Sequence, residues 1–337
     1  MKRNYPFVAA LCLMVVAIVA CSSNRKQPAA DAGTTEEEEA AAVTVPAFNA
    51  DSAYRYVKEQ VDFGPRVPNT AAHRACGDYL IGKLRQFGAT VHVQEADLVA
   101  YDNTILKARN IIGSFNPDNR RRVLLCAHWD SRPYADSERS KKKQKQPILG
   151  ANDGASGVGV LLEMARQMQQ QAPAIGVDII FFDAEDYGIP TFYKGAYKAD
   201  TWCLGSQYWG RVPHVQGYNA RYGILLDMVG GRGATFYREG FSQRTAPTQV
   251  KKIWDTAQRL GFGSYFPQED GMEVTDDHVY VYGLTRIPCV DIINYSPNGD
   301  SGFGDFWHTL DDNMDVIDRA TLNAVGRTVM EVIYNEK

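Results

Sequence analysis

Four apolar runs that each lead into polar side chains constrain the fold of this chain more than any other feature. They are RVLLCA (122–127), DIIFFD (178–183), YGILLDM (222–228) and IPCVDII (287–293). Helical patterns precede these runs, at 52–63 and about 70–87, and others lie between or after them, at 154–170, 248–260 and 315–334. Continuous apolar strands that alternate with helices are typical of a parallel sheet covered on both faces. We therefore predict a single α/β domain with a mostly parallel central sheet.

The same runs predict where ligands bind, because such sheets bind them beyond the carboxyl ends of the strands. His128 follows the first run, Glu185 and Asp186 follow the second, Asp227 ends the third, and the fourth leads towards His308. Each residue alone has an ordinary structural explanation, such as a salt bridge or a buried histidine. Together, so many carboxylates at one sheet edge are costly without a cation. Zinc accepts these donors, and a catalytic site keeps three protein ligands and one open position.

Composition excludes one class of partner. The net charge is −4 over 337 residues, and no basic stripe interleaved with aromatic residues is present. A nucleic-acid partner is therefore not expected.

Five motifs carry a family resemblance. AHWDS, GANDGASG, FFDAED, LLDMVG and FWHTLDD, in this order, resemble the zinc-aminopeptidase superfamily and, within it, the metal-dependent glutaminyl cyclases. The similarity extends from about residue 50 to the C-terminus. It implies an enzyme that converts the N-terminal glutamine of peptides or proteins to pyroglutamate and releases ammonia. It also implies one zinc ion per chain, bound by Asp153, Asp186 and His308.

The resemblance further implies a role for five more residues. Glu185 is the general acid and base, and Asp227 and Asp276 form the hydrogen-bond network beside it. Trp307 and Phe303 match aromatic positions of the substrate pocket. Neighbouring carboxylates are expected to raise the pKa of Glu185.

Two other functions remain open from the sequence. A two-zinc aminopeptidase on the same fold would hold its second ion with His128 and Asp227, with Asp153 bridging the two ions. Asp186 in place of the second Glu of the aminopeptidase pair, and Trp307 directly before His308, favour the cyclase. The third hypothesis is a binding protein without turnover, and this hypothesis predicts that the general base is lost.

The sequence departs from the animal cyclases at two points. Their disulfide near the HWD motif would join Cys126 to position 158, which is Val158, so this bond is not expected. Their pocket tryptophan after the paired acids is missing, and Trp202 or Tyr187 is the candidate replacement. Four cysteines follow the N-terminal region without CxxC spacing, which leaves both disulfides and buried thiols open: Cys76, Cys126, Cys203 and Cys289.

The N-terminal segment predicts export. Residues 1–20 have basic residues followed by a short apolar stretch, and the four residues that end at Cys21 resemble the lipobox of bacterial lipoproteins. We expect a signal peptide over 1–20, a lipidated tether over 21–46 and the cyclase domain over 47–337. The expected location is the outer membrane, facing the periplasm, with the cell surface as the alternative.

Overall fold

The computed structural model describes residues 44–297 and 301–337, so the predicted signal peptide and most of the tether lie outside the described residues. The strands are β1 (Thr90–Val99), β2 (Ile105–Phe115), β3 (Arg122–His128), β4 (Gly176–Phe182), β5 (Gly223–Asp227) and β6 (Cys289–Ile293). The helices are α1 (Ala50–Val61), α2 (Ala71–Gln86), α3 (Ala155–Gln170), α4 (Leu204–Arg211), α5 (Gly240–Thr245), α6 (Pro247–Arg259), α7 (Asp277–Thr285) and α8 (Arg319–Tyr334).

The six strands form one mixed sheet in the order β1-β2-β4-β3-β5-β6. Strands β3 to β6 are parallel, whereas β1 and β2 are antiparallel to their neighbours. Every residue of β3, β4, β5 and β6 is buried, which explains why these four apolar runs do not alternate. The predicted α/β fold with a mostly parallel sheet is confirmed.

Helices cover both faces of the sheet. The larger core joins one face to α1, α2, α3, α6 and α8, and a smaller core holds Trp209 of α4 and Val281 of α7 on the other. Three helices were not predicted: α4, α5 and α7. Two of them have fewer than nine residues, and α7 reads DHVYVYGLT, with residues that favour strands.

Helix α3 approaches β5 very closely at Gly157. A Cβ atom at this position would lie 2.1 Å from the carbonyl oxygen of Leu226. Only glycine permits this approach, which brings the turn before α3 against the end of β5. Asp153 and Asp227 are thereby brought close together.

The structure also shows the state of the cysteines and whether any described helix could span a membrane. Cys76, Cys126, Cys203 and Cys289 are buried free thiols. Within residues 44–297 and 301–337, no helix is long and apolar enough to cross a membrane. Val45, inside the expected tether, packs against the large core.

Candidate active site

The residues predicted to form the site line one cavity at the carboxyl ends of β4 and β5. The cavity volume is about 180 Å³. All eight predicted residues of the metal, catalytic and aromatic sets line it: Asp153, Glu185, Asp186, Asp227, Asp276, Phe303, Trp307 and His308. Residues scattered over 156 positions of sequence therefore meet because parallel strands end at one edge.

The turn after β4 separates its three carboxylates. Ala184 has φ 54°, a left-handed conformation that is costly for a residue with a Cβ atom. The carboxylate of Asp183 accepts hydrogen bonds from the backbone N–H groups of Ala184 and Arg109, at 2.8 and 2.6 Å. It therefore fixes the turn, while Glu185 and Asp186 line the cavity.

One group of donors combines the three predicted zinc ligands. Donor atoms of Asp153, Asp186 and His308 all lie within 4.8 Å of one another. His308 Nε2 lies 3.4 Å from Asp186 Oδ1 and 3.6 Å from Asp153 Oδ2. Asp186 Oδ2 is buried and has no hydrogen-bond partner among the described residues. A buried imidazole between two carboxylates, with an unpaired carboxylate oxygen, fits a divalent cation such as zinc.

A second group of donors shares Asp153 with the first. His128 Nε2 lies 3.0 Å from Asp153 Oδ1 and 3.2 Å from Asp227 Oδ1. Burial alone lowers the pKa of His128, but the carboxylates of Asp130, Asp153 and Asp227 outweigh burial and raise that pKa well above its usual range. In the absence of a cation, a proton on this histidine offsets the charge of the neighbouring carboxylates.

The pKa of Glu185 is raised well above its usual range, in the predicted direction. Burial is the main cause, because water no longer stabilises the carboxylate. His128 opposes the shift, whereas the charges of Asp186, Asp276 and Asp277 add to it. A carboxyl group with a raised pKa can both accept and return a proton near neutral pH.

Asp276 directly precedes α7 and lies among other buried acidic residues. It is the N-cap of the helix, and its side chain accepts a hydrogen bond from Asp277 N. Burial and the charge of Asp227 raise its pKa to about 7. Asp291, in the middle of β6, is fully buried as well, and burial together with Asp276 raises its pKa well above the usual range.

Aromatic rings surround His308 on two sides. The Trp307 ring stacks on the imidazole at 3.6 Å between centroids, and Phe303 lies 5.1 Å from Trp307. Trp202 is parallel to the imidazole at 6.0 Å and lines the cavity. Tyr187 instead packs near Tyr101, outside the cavity lining. Of the two candidates for the missing tryptophan, the structure favours Trp202.

Three further residues hold the predicted ligands and were not part of the predicted site. Asp136 Oδ1 lies 3.3 Å from His308 Nδ1, which directs Nε2 towards the other ligands. Arg132 pairs with Asp136 at 2.7 Å and donates to the carbonyl oxygen of Asp186 at 2.9 Å. Asp312 accepts from the backbone N–H of Asp153 at 3.1 Å. The i,i+4 spacing of Arg132 and Asp136, directly after HWDS, was the available signal.

Comparison with known proteins agrees with this geometry. The chain is 61% identical to Bacteroides thetaiotaomicron glutaminyl cyclase, solved with N-acetylhistamine, over 87% of this chain and 100% of that one, with a TM-score of 0.86. It is 60% identical to a Zn-dependent exopeptidase from Parabacteroides distasonis, with the same coverage and TM-score. A glutaminyl-peptide cyclotransferase of Drosophila melanogaster is 26% identical over 292 residues, 79% of this chain and 76% of that protein.

The family of the chain is shown by a separate match. Residues 110–333 match Peptidase family M28, and this region is more than half of the chain and contains all eight cavity residues named above. That region runs from β2 to α8 and so includes all four parallel strands. The chain belongs to peptidase family M28.

Proposed function

We propose that this protein is a glutaminyl-peptide cyclotransferase, which converts the N-terminal glutamine of peptides or proteins to pyroglutamate with release of ammonia. The observation that carries the proposal is the position of Glu185, a largely buried carboxyl group with 12% of its side chain exposed, beside the three-residue donor set in a small aromatic cavity. The similarity to the Bacteroides thetaiotaomicron glutaminyl cyclase supports the same activity.

The proposed cofactor is one zinc ion per chain, held by Asp153, Asp186 and His308. The unpaired Oδ2 atom of Asp186 and the orientation of His308 by Asp136 support this donor set. When bound, zinc supplies a Lewis acid that polarises the side-chain carbonyl of the substrate glutamine.

Glu185 moves the proton in the proposed reaction. The α-amine of the substrate forms a bond to its own side-chain amide carbon, and the bond to the amide nitrogen breaks. Glu185 accepts the proton that the amine loses and returns it to the departing nitrogen, which leaves as ammonia. Its raised pKa suits a group that must take up a proton and give it back.

The aromatic wall sets the choice between cyclisation and hydrolysis. Trp202, Phe303 and Trp307 line the cavity and offer apolar surface beside the acidic groups. A cavity of about 180 Å³ fits a single side chain. Such a wall excludes water that would compete with the α-amine, and it holds the glutamine side chain folded for attack.

A two-zinc aminopeptidase is the second candidate. His128, Asp153 and Asp227 place donor atoms within 4.8 Å of one another, so a second set of ligands is assembled. The Zn-dependent exopeptidase from Parabacteroides distasonis has the same level of similarity as the cyclase. The two candidates differ in metal content and in product.

An assay with two peptides distinguishes the candidate functions. The purified protein is given a glutaminyl peptide and, separately, a leucyl peptide, and ammonia, free amino acids and zinc per chain are measured. We expect ammonia from the glutaminyl peptide with no cleavage, and one zinc per chain. Free leucine with two zinc ions would support the aminopeptidase, and no product would support a binding protein. The Glu185→Gln variant is the control: it should keep zinc and lose roughly 100-fold or more of the rate.

We also propose that lipidated Cys21 anchors the protein to a membrane. The apolar stretch that ends at this cysteine, followed by the polar SSNRKQ, supports the proposal. The proposed location is the outer membrane, with the catalytic domain in the periplasm or at the cell surface. An acyl anchor binds a membrane without a spanning helix.

A further inference from the structure

The thiol of Cys203 contacts the carboxylate to which we assign the proton transfer. Cys203 Sγ donates a hydrogen bond to Glu185 Oε1 at 3.2 Å, and the cysteine is fully buried. Among the described residues, no other group donates a hydrogen bond to this carboxylate within normal distance. The second oxygen, Oε2, lies 3.9 Å from His128 Nδ1, beyond hydrogen-bond reach. One oxygen of Glu185 is therefore held and the other is free.

The backbone around Cys203 is built to place this thiol. Its N–H donates to the carbonyl oxygen of Glu185 at 2.9 Å, and the N–H of Leu204 donates to that of Ala184 at 3.1 Å. Cys203 itself has φ 56°, a left-handed conformation that is unfavourable for a residue with a Cβ atom. Strain of this kind persists where the surrounding structure fixes it, and it is common at functional sites.

Helix α4 packs tightly on the same turn. A Cβ atom at Gly205 would lie 2.1 Å from the carbonyl oxygen of Asp183, so only glycine allows the helix to begin there. The start of α4 and the turn after β4 are thus joined by two backbone hydrogen bonds and a close contact. The segment has little freedom, and the thiol is held against Glu185.

Burial keeps this thiol protonated. It raises the pKa of Cys203 well above the usual range, and the nearby charge of Glu185 raises it further. The group therefore acts as a hydrogen-bond donor and not as a thiolate. A thiolate would be a nucleophile or a metal ligand, whereas a neutral thiol is a weak donor.

We infer that Cys203 is a positioning residue, whose S–H group fixes one carboxylate oxygen of Glu185 so that the other faces the proton it must transfer. This inference rests on the role proposed for Glu185. A weak donor suits the task, because it orients the carboxylate without holding its charge as strongly as an N–H or O–H group would.

The kinetic test compares three variants with the wild-type enzyme. Cys203→Ala should lower kcat by roughly tenfold and leave KM and zinc content unchanged, because orientation of the base is lost while binding is kept. Cys203→Ser should recover most of the rate, since its hydroxyl donates in the same place. Cys289→Ala removes a buried thiol at the opposite end of β6 and should leave kcat unchanged. Equal rates for the alanine variant and the wild type, or a serine variant no better than alanine, would overturn the inference.

A spectroscopic test does not depend on the reaction. The S–H stretching band of Cys203, assigned by its loss in Cys203→Ser, should shift to higher frequency in Glu185→Leu because the acceptor oxygen is gone. An unshifted band would rule out the hydrogen bond. If the wild type released no ammonia from a glutaminyl peptide, the proposed function would fail, and this band would still decide the contact.

Discussion

His308 shows how a single side chain is prepared for its role. Asp136 lies 3.3 Å from Nδ1, and Trp307 stacks on the ring at 3.6 Å. The motif FWHT predicted this histidine and its aromatic neighbour. It did not predict Asp136, because that contact comes from a loop more than 170 positions earlier, and no local pattern connects the two residues.

We expect alanine substitutions of the two histidines of the site to have opposite effects on zinc binding. His308→Ala should lose zinc, because it removes one of three ligands and the imidazole that Asp136 orients. His128→Ala should keep zinc, because this residue belongs only to the second donor set. Zinc per chain, measured by mass spectrometry after dialysis, checks both variants. A fall from two ions to one in His128→Ala would instead favour the aminopeptidase.

At the scale of elements, the strands were predictable and the connections were not. The run IIFF predicts β4, and the three acids after it, Asp183, Glu185 and Asp186, predict a functional turn. The left-handed conformations of Ala184 and Cys203 follow from the docking of α4 on this turn, a tertiary contact that no sequence window contains. Helix α4 has only eight residues, two of them glycines, so its helical pattern is weak.

The contact between α3 and β5 can be tested with one methyl group. Gly157→Ala would place Cβ 2.1 Å from the carbonyl oxygen of Leu226, and backbone cannot move as a flexible side chain does. We expect the free energy of unfolding to fall by about 1–3 kcal/mol. Denaturant unfolding measures this change.

Gly283→Ala is the matched control for that contact. It adds the same methyl group at an exposed position of helix α7, where nothing lies within 4 Å. Alanine has a higher helix propensity than glycine, so the free energy of unfolding of this variant should rise by up to about 1 kcal/mol. If both variants were equally stable, the close packing of α3 on β5 would not matter to stability.

Over the whole molecule, the order of strands and helices along the chain predicted the architecture. Alternation of buried runs with amphipathic helices requires crossovers, and these place the carboxyl ends of the strands at one edge. The antiparallel pairing of β1 and β2 agrees with their more polar sequences, since β1 lies at the sheet edge. The number of metal ions was not predictable, because both donor sets use residues of the same motifs.

The stability of the zinc-free protein should depend on pH through Asp276. Its pKa is about 7 in the folded state, against about 4 in an unfolded chain. Between these values the folded protein keeps the proton and the unfolded chain does not. The contribution of this group to stability is therefore complete below pH 4 and is lost as pH rises through 7, by about 4 kcal/mol in all. Thermal unfolding of chelated protein should show the fall, and Asp276→Asn should reduce it. A variant with the wild-type pH profile would contradict this assignment.

The membrane anchor is tested on the complete chain. Cys21→Ala should move the protein from the membrane to the soluble fraction, because no acyl chain can be attached. Cys12→Ala removes a cysteine from the apolar stretch and should remain with the membrane. Fractionation of cells that express each variant measures the distribution. Continued membrane binding of Cys21→Ala would exclude the anchor.

Asp153 belongs to both donor sets, and this sharing bears on how such enzymes diverge. A single carboxylate can serve one ion or bridge two, so the backbone need not be rebuilt when a lineage changes its metal complement. Removal of a terminal residue and its closure into a ring therefore differ in side chains and metal content, and both are compatible with one fold.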